Sequence, residues 1–210
     1  MGDRSTFAAR IPKESVLMAD MEIRKQKKIL RTQIQEEILL LPEDYRRKAD
    51  REIVRLLLTL PEYHHADTVF CFAGTASEIN TDPFLAQVLA DGKVLSVPLC
   101  TGKGIMEARR IRSLEELRDG KYGLREPSRS TELIAPEKID LAVIPCLSCT
   151  HSGIRLGHGG GYYDRYFSPA PKFAAVIICY EKLVRDSIPS ERHDVRFPLV
   201  ITEAGIYPDE

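Results

Sequence analysis

Net charge is the first thing this sequence lacks. Thirty Lys and Arg residues stand against 31 Asp and Glu, so there is no global basic field of the kind that draws in nucleic acid or an anionic membrane surface. Neither partner is expected, and any ion recognition has to be local. Long hydrophobic runs are also missing: Leu56 to Leu60 and Phe173 to Cys179 fall far short of the roughly 20 residues that a membrane span needs. The opening MGDRSTFAARIPKES has no apolar stretch followed by a small-residue cleavage site. Residues 1–19 are expected to form a mobile lead-in to a soluble chain. Cysteine is scarce and odd in number, at five. Cys71 and Cys179 lie inside apolar runs, where a cysteine behaves as a small buried hydrophobe. That usage argues against a disulfide framework and for a reducing cytoplasm. No internal repeat or low-complexity segment is visible.

What is present is enough apolar material for a core: 43% of 210 residues are hydrophobic, and length favours a single domain over residues 20–210. From Asp20 to Leu41 the residues Ile23, Leu30, Ile34, Ile38 and Leu41 recur at helical steps, with Arg24, Lys27, Lys28 and Arg31 on the other face. Pro42 closes that helix and opens a second, running to about Leu60, with Ala49, Ile53, Leu56, Leu57 and Leu60 facing inward. TVFCFAG, KVLSVPLC, GIMEARRI, KIDLAVIPC, KFAAVIICY and FPLVIT read as six strands. Thr81-Asp82-Pro83 reads as a helix start, and Ser113 with Glu116 as a capping box for a short helix that Gly120 stops. Strands that are continuously apolar and alternate with helices predict an α/β domain with a largely parallel sheet.

One segment breaks this pattern. In GIRLGHGGGYYDRYF, Gly153 to Phe167, four glycines fall within five positions just ahead of a predicted helix. The segment follows the strand DLAVIP, and ligands of open parallel sheets bind at the carboxyl ends of the strands. Glycines let backbone N–H groups approach an anion, the following helix N-terminus favours negative charge, and Arg155 adds a bidentate fork. The segment ends neither as a Walker A loop nor in G-x-G-x-x-G spacing. The residues alone therefore leave two readings open, a phosphate loop and a flexible turn capping a helix. Asp164 suits the first helical turn or a phosphate-held Mg²⁺, Tyr163 with Phe167 suits core packing, and Tyr162 suits packing over a ring.

The segment resembles the signature of the 5-formyltetrahydrofolate cyclo-ligase family, and the resemblance extends along the chain. KKILR (Lys27 to Arg31), SEINT (Ser77 to Thr81), GKYGLREP (Gly120 to Pro127) and HDVRFPLVITE (His193 to Glu203) are similar to further motifs of that family, in the family's order. The resemblance implies a three-layer α/β fold of the NagB–RpiA-like kind, acting as a monomer. It implies conversion of 5-formyltetrahydrofolate to 5,10-methenyltetrahydrofolate with ATP and Mg²⁺, releasing ADP and phosphate. An amide oxygen leaves poorly; its phosphorylation gives an iminium phosphate that N10 can attack.

Carried onto this sequence, the resemblance implies that Lys27, Arg31, Arg155, Gly157, His158, Gly159, Gly160, Gly161, Tyr162 and Asp164 bind ATP. Arg155, Tyr163 and Asp164 are implied at the reacting centre, and Asp164 with Asp194 at the metal. Glu78, Met106, Tyr122 and Tyr163 are implied on the folate. His158 and Gly160 stand where relatives are often basic, and Pro198 stands where the closing motif usually has an aspartate. These departures raise a second expectation, a non-catalytic folate- or nucleotide-binding paralogue. Cys146-x-x-Cys149 with His151 and His158 suggests half of a zinc or redox site, but no second half with standard spacing follows, and a metal there is not expected.

Overall fold

The computed structural model of the chain describes residues 13–120, 123–167, 173–191 and 194–208. Helix α1 (Lys13–Leu40) begins seven residues ahead of the expected Asp20. The backbone of residues 13–19 is thus helical rather than a lead-in, and residues 1–12 lie outside the described part. Ile34 and Ile38 are buried at the expected spacing. Helix α2 (Glu43–Thr59) follows Pro42 and buries Ala49, Ile53, Val54 and Leu57. A single turn, α3 (Pro61–His65), too short for periodicity to reveal, places Tyr63 in the core.

The rest of the chain builds the sheet: β1 (Thr68–Cys71), α4 (Asp82–Ala90), β2 (Val94–Gly102), β3 (Ile105–Ile111), β4 (Arg118–Asp119), β5 (Arg125–Glu126), β6 (Leu133–Ile134), β7 (Leu141–Pro145), β8 (Ser148–Cys149), β9 (Arg155–Leu156), α5 (Tyr162–Tyr166), β10 (Ala174–Ile178), β11 (Leu199–Thr202) and β12 (Gly205–Pro208). Eight strands pair in the order β12-β11-β10-β7-β1-β2-β3-β6. From β11 to β2 every pairing is parallel, and β12, β3 and β6 add antiparallel edges. This is the α/β fold expected, a mostly parallel central sheet with flanking helices: α2 packs on β11, α4 on β2 and α5 on β3. All five residues of β7 are buried, as a strand covered on both faces requires. Each fully buried Val, Leu or Ile there contributes about 1.5–3 kcal/mol, an upper figure because a real unfolded chain already hides some apolar surface.

Two caps differ from the sequence expectation. Thr81 precedes α4 but does not cap it; its hydroxyl donates to Phe72 O at 2.7 Å and accepts the N–H of Gly74 at 3.0 Å, tying the loop back to the end of β1. Ser113 heads only the three-residue 3₁₀ turn Leu114–Glu116. Its Oγ accepts from Glu115 N, and the Glu116 carboxylate accepts from Arg112 N, so the reciprocal box is shifted along a tighter turn.

The connection from β1 moves outward through β2 and β3 to β6. The chain then returns to the other side of β1 as β7 and moves outward through β10 and β11. The switch point of the sheet therefore lies between β1 and β7, where loops from their carboxyl ends diverge and leave a crevice.

Candidate functional site

Both loops at the switch point carry residues singled out in the sequence. After β1, residues 72–81 form a tight loop in which the Glu78 carboxylate accepts the N–H of Thr75 at 3.0 Å. Arg46 of α2 holds this loop from outside by donating to Ala76 O. After β7, the chain makes the β8–β9 hairpin and enters the glycine segment. The two loops meet where His158 Nε2 lies 3.4 Å from Glu78 Oε1. Burial raises the Glu78 carboxyl, but the His158 contact and the Thr75 hydrogen bonds outweigh it and hold the group below the usual carboxylate range.

Arg155 is the best-anchored cation of the cleft, with a side chain 6% exposed. Its Nη1 donates to Pro145 O at 3.1 Å, and its Nη2 lies 3.0 Å from both oxygens of Asp164. The guanidinium also sits 5.5 Å from the centre of the Tyr163 ring. Its Nε is buried and has no hydrogen-bond partner among the described residues. Burial raises the Tyr163 phenol well above its ordinary range, and the charge of Glu78 adds to the effect. Arg155, Asp164, Tyr163 and Glu78 thus form one electrostatic group. Tyr163 packs edge-on against Phe70, beside the buried Phe167, as core packing predicts.

The glycines divide their tasks. Gly153 (φ +84°) faces the backbone of residue 197: a Cβ there would stand 1.9 Å from Phe197 O, and Phe197 N donates to Gly153 O at 3.1 Å. Its role is close chain packing, outside the cradle itself. Around the cradle, Arg31 Nε donates to Gly157 O at 2.8 Å. A Cβ on Gly157 would meet Arg155 Nη1 at 2.7 Å, and one on Gly159 would meet Arg31 Cζ at 3.3 Å, so side chains there would fill the space the two guanidinium groups occupy. Gly161 (φ +64°) makes the left-handed turn into α5 that a side chain would strain. Among the described residues no acceptor takes the N–H of Gly159, Gly160 or Gly161, and unpaired donors of this kind are satisfied by ligand or water. Helix α5 has only five residues, so arginines rather than a long helix dipole supply most of the positive charge.

Other sequence candidates fall differently. Lys27 is buried, and its ammonium donates to Asp194 and, at 3.2 Å, to Glu191. Its charge and that of Asp194 are thus already matched, while Arg31, one turn on, reaches the glycine loop. Burial lowers the Arg31 pKa from its ordinary value. Met106 is buried on β3 opposite Cys100. Tyr122 lies outside the described residues. Tyr162 begins α5 and packs beside the core. His151 stacks on Tyr207 with ring centroids 3.9 Å apart.

Sequence reasoning missed Arg165, whose Nε donates to Gly104 O at 2.8 Å and whose Nη2 donates to Gly160 O, pinning the glycine loop to the β2–β3 turn. It also missed Arg125, which forks onto Asp82 at 2.9 and 2.5 Å, and Glu126, which accepts the N–H of Cys100 at 2.8 Å. These two residues lie in the GKYGLREP motif, so part of that motif holds the scaffold. A larger depression of about 360 Å³, lined by Glu62, His65 and Asp140, lies at the amino ends of the strands, away from this constellation.

A glycine loop backed by two arginines at the switch point of a mostly parallel sheet defines the class: an α/β protein with a cationic loop at the carboxyl ends of its strands. The family model of the 5-formyltetrahydrofolate cyclo-ligase family matches residues 23–203. The mitochondrial 5-formyltetrahydrofolate cyclo-ligase of Arabidopsis thaliana is 28% identical over 88% of this chain and 76% of its own length. The Escherichia coli 5-formyltetrahydrofolate cyclo-ligase is 25% identical over 80% of this chain and 94% of its own. The 5,10-methenyltetrahydrofolate synthetase of Aquifex aeolicus superposes with a TM-score of 0.78 at 27% identity, covering 88% of this chain and 93% of that one. The chain belongs to the 5-formyltetrahydrofolate cyclo-ligase family, whose members are ligases, and it is an enzyme of that class.

Proposed function

We propose that this protein converts 5-formyltetrahydrofolate to 5,10-methenyltetrahydrofolate, driven by ATP with Mg²⁺ and releasing ADP and phosphate. The observation that carries the proposal is the glycine loop, whose Gly159, Gly160 and Gly161 N–H groups have no acceptor among the described residues and lie near Arg31 and Arg155. Backbone donors and guanidinium forks are the groups that hold polyphosphate. In this reading Gly157, His158 and Tyr162 complete the ATP site, and Lys27 supports it through its ion pairs. Asp164 and Asp194 would be the carboxylates toward Mg²⁺, a hard cation that takes oxygen donors and would neutralise phosphate charge when bound; Asp164 would then share its oxygens with Arg155, and Asp194 would have to give up part of its ion pair with Lys27. Glu78, Met106 and Tyr163 would contact the folate, as the resemblance also implies for Tyr122, which lies outside the described residues.

The chemistry follows from charge. Arg155, unusually buried and aligned by Asp164 and Pro145 O, stabilises negative charge on the phosphoryl group as it moves to the formyl oxygen. The new O–P bond makes that oxygen a leaving group; N10 then attacks the formyl carbon and gives up its proton to solvent, the ring closes and phosphate departs. Tyr163, kept neutral by burial and by the charge of Glu78, presents a phenol rather than a second anion to the reacting centre. This protein is proposed to be cytoplasmic and monomeric.

Incubation with 5-formyltetrahydrofolate and MgATP, followed by absorbance of the methenyl product, tests the reading. ATP-dependent product is expected. Tight binding of both ligands without product would replace it with the non-catalytic paralogue.

A further inference from the structure

Three thiols converge beside the cleft without any part in the chemistry above. β7 and β10 run parallel with Pro145 opposite Ile178, so the next residues, Cys146 and Cys179, leave neighbouring strands at the same level. The β8–β9 hairpin brings Cys149 back to them, and the three sulfur atoms lie within 4.8 Å of one another. All three cysteines are free; Cys149 and Cys179 are buried and Cys146 is partly so. Among the described residues no other trio of Cys, His, Asp and Glu side chains brings its ligand atoms this close. The histidines that the sequence offered as partners are engaged elsewhere, His151 with Tyr207 and Glu181, His158 with Glu78. The missing member of the half-site is Cys179, 30 residues beyond Cys149 and just past the end of β10.

We propose that Cys146, Cys149 and Cys179 form a site for one soft d¹⁰ cation of the Zn²⁺ type, held by three thiolates with an exchangeable fourth ligand. Tetrahedral Zn–S bonds of about 2.3 Å place sulfurs about 3.8 Å apart, so side-chain shifts of about 1 Å close the site. Three sulfur donors select zinc-like cations over Mg²⁺ and Ca²⁺. A cavity of about 20 Å³ adjoins Cys146 and Cys179 and extends to Glu78 and Tyr180, which is room for one water as the fourth ligand. Three protein ligands with an open position is the layout of reactive rather than structural zinc.

Binding releases three protons, one from each thiol, as three metal–sulfur bonds form, and leaves one net negative charge. Arg155 is tied to this site through the backbone, because its Nη1 is fixed on Pro145 O, next in the chain to Cys146. A cation here therefore acts on the anchor of Arg155, separately from any Mg²⁺ carried by nucleotide.

The test is an anaerobic titration of the phosphine-reduced full chain with Co²⁺. One equivalent should produce a thiolate-to-cobalt charge-transfer band with intense tetrahedral d–d absorption, and one equivalent of Zn²⁺ should displace it. Cobalt held by oxygen ligands at the nucleotide site gives no such band. The band should be lost in Cys179→Ser and Cys149→Ser, with Cys179→Ala standing in where a buried hydroxyl prevents folding. Zn²⁺ should also protect three cysteines from alkylation as counted by mass spectrometry. Absence of the band, its persistence in the Cys179 variants, or alkylation indifferent to Zn²⁺ each overturns the proposal.

Discussion

His158 Nε2 lies 3.4 Å from the Glu78 carboxylate, joining the loop after β1 to the glycine loop after β7 across the switch point. The imidazole turns to a carboxylate on the opposite loop. The proposed phosphate cradle and the proposed folate contact are thereby linked by one side-chain contact. Removing it gives a pH-dependent outcome whose sign can be worked out. The Glu78 carboxyl is held below its ordinary value of 4.5, so in the folded state it contributes stability present above that value and lost as pH falls through the lower folded value.

In His158→Ala the folded value rises, because burial is then opposed mainly by the Thr75 hydrogen bonds. Acid unfolding should begin at higher pH than in the parent, and the carbon-13 resonance of the Glu78 carboxyl should titrate higher. An unchanged Glu78 titration would show that the contact does not hold the carboxylate.

Arg155→Ala should lower kcat by about 10²–10³, the range for loss of one preorganised donor to developing charge, while 5-formyltetrahydrofolate affinity changes little. Arg155→Lys should recover little, because a point charge cannot replace a fork between Pro145 O and Asp164. Steady-state kinetics with calorimetric folate binding separates the effects. A loss confined to folate affinity would move Arg155 away from the phosphoryl group.

Gly153→Ala puts a Cβ 1.9 Å from Phe197 O in a backbone conformation that L-residues avoid. The strain alone costs about 1–3 kcal/mol, which for a domain of this size lowers Tm by several degrees, at about 2–4 °C per kcal/mol. Gly160→Ala, which meets only the Tyr162 ring, should cost less stability. Equal melting temperatures for the two variants would contradict the division of tasks within the loop.

Arg165→Ala removes the donors to Gly104 O and Gly160 O while leaving the core intact. The KM for ATP should rise by several-fold to about tenfold, the scale of one charge-assisted hydrogen bond, with Tm nearly unchanged. A fall in kcat with unaltered KM for ATP would instead place Arg165 at the reacting centre.

The parallel strands were legible because β1, β7 and β10 are covered on both faces and read as unbroken apolar runs. Helices α1 and α2 were legible because Ile34, Ile38, Ala49, Ile53 and Leu57 repeat over many turns. The two-residue strands β4, β5, β6, β8 and β9 hold no more than one period of strand alternation, too little to repeat, and β12 shows only a half-exposed alternation. Of the site, the glycine segment and Arg155 announced themselves by density of unusual residues. Arg165 did not, since a basic residue in a last helical turn already has a reason to be there. Cys179 could be joined to Cys146 only through the β7–β10 register, which pairing between distant segments decides. Lys27 reads as a nucleotide contact until Glu191 and Asp194, more than 160 residues on, are seen to hold its ammonium.

The central claim is that the cleft transfers a phosphoryl group from ATP to the formyl oxygen. The direct measurement uses 5-formyltetrahydrofolate labelled with oxygen-18 in the formyl group, turned over with MgATP in unlabelled water. The released phosphate is then analysed by mass spectrometry. The account predicts one oxygen-18 atom in each phosphate formed, with its rate of appearance falling in Arg155→Ala. Phosphate free of label, with methenyl product formed normally, would contradict it.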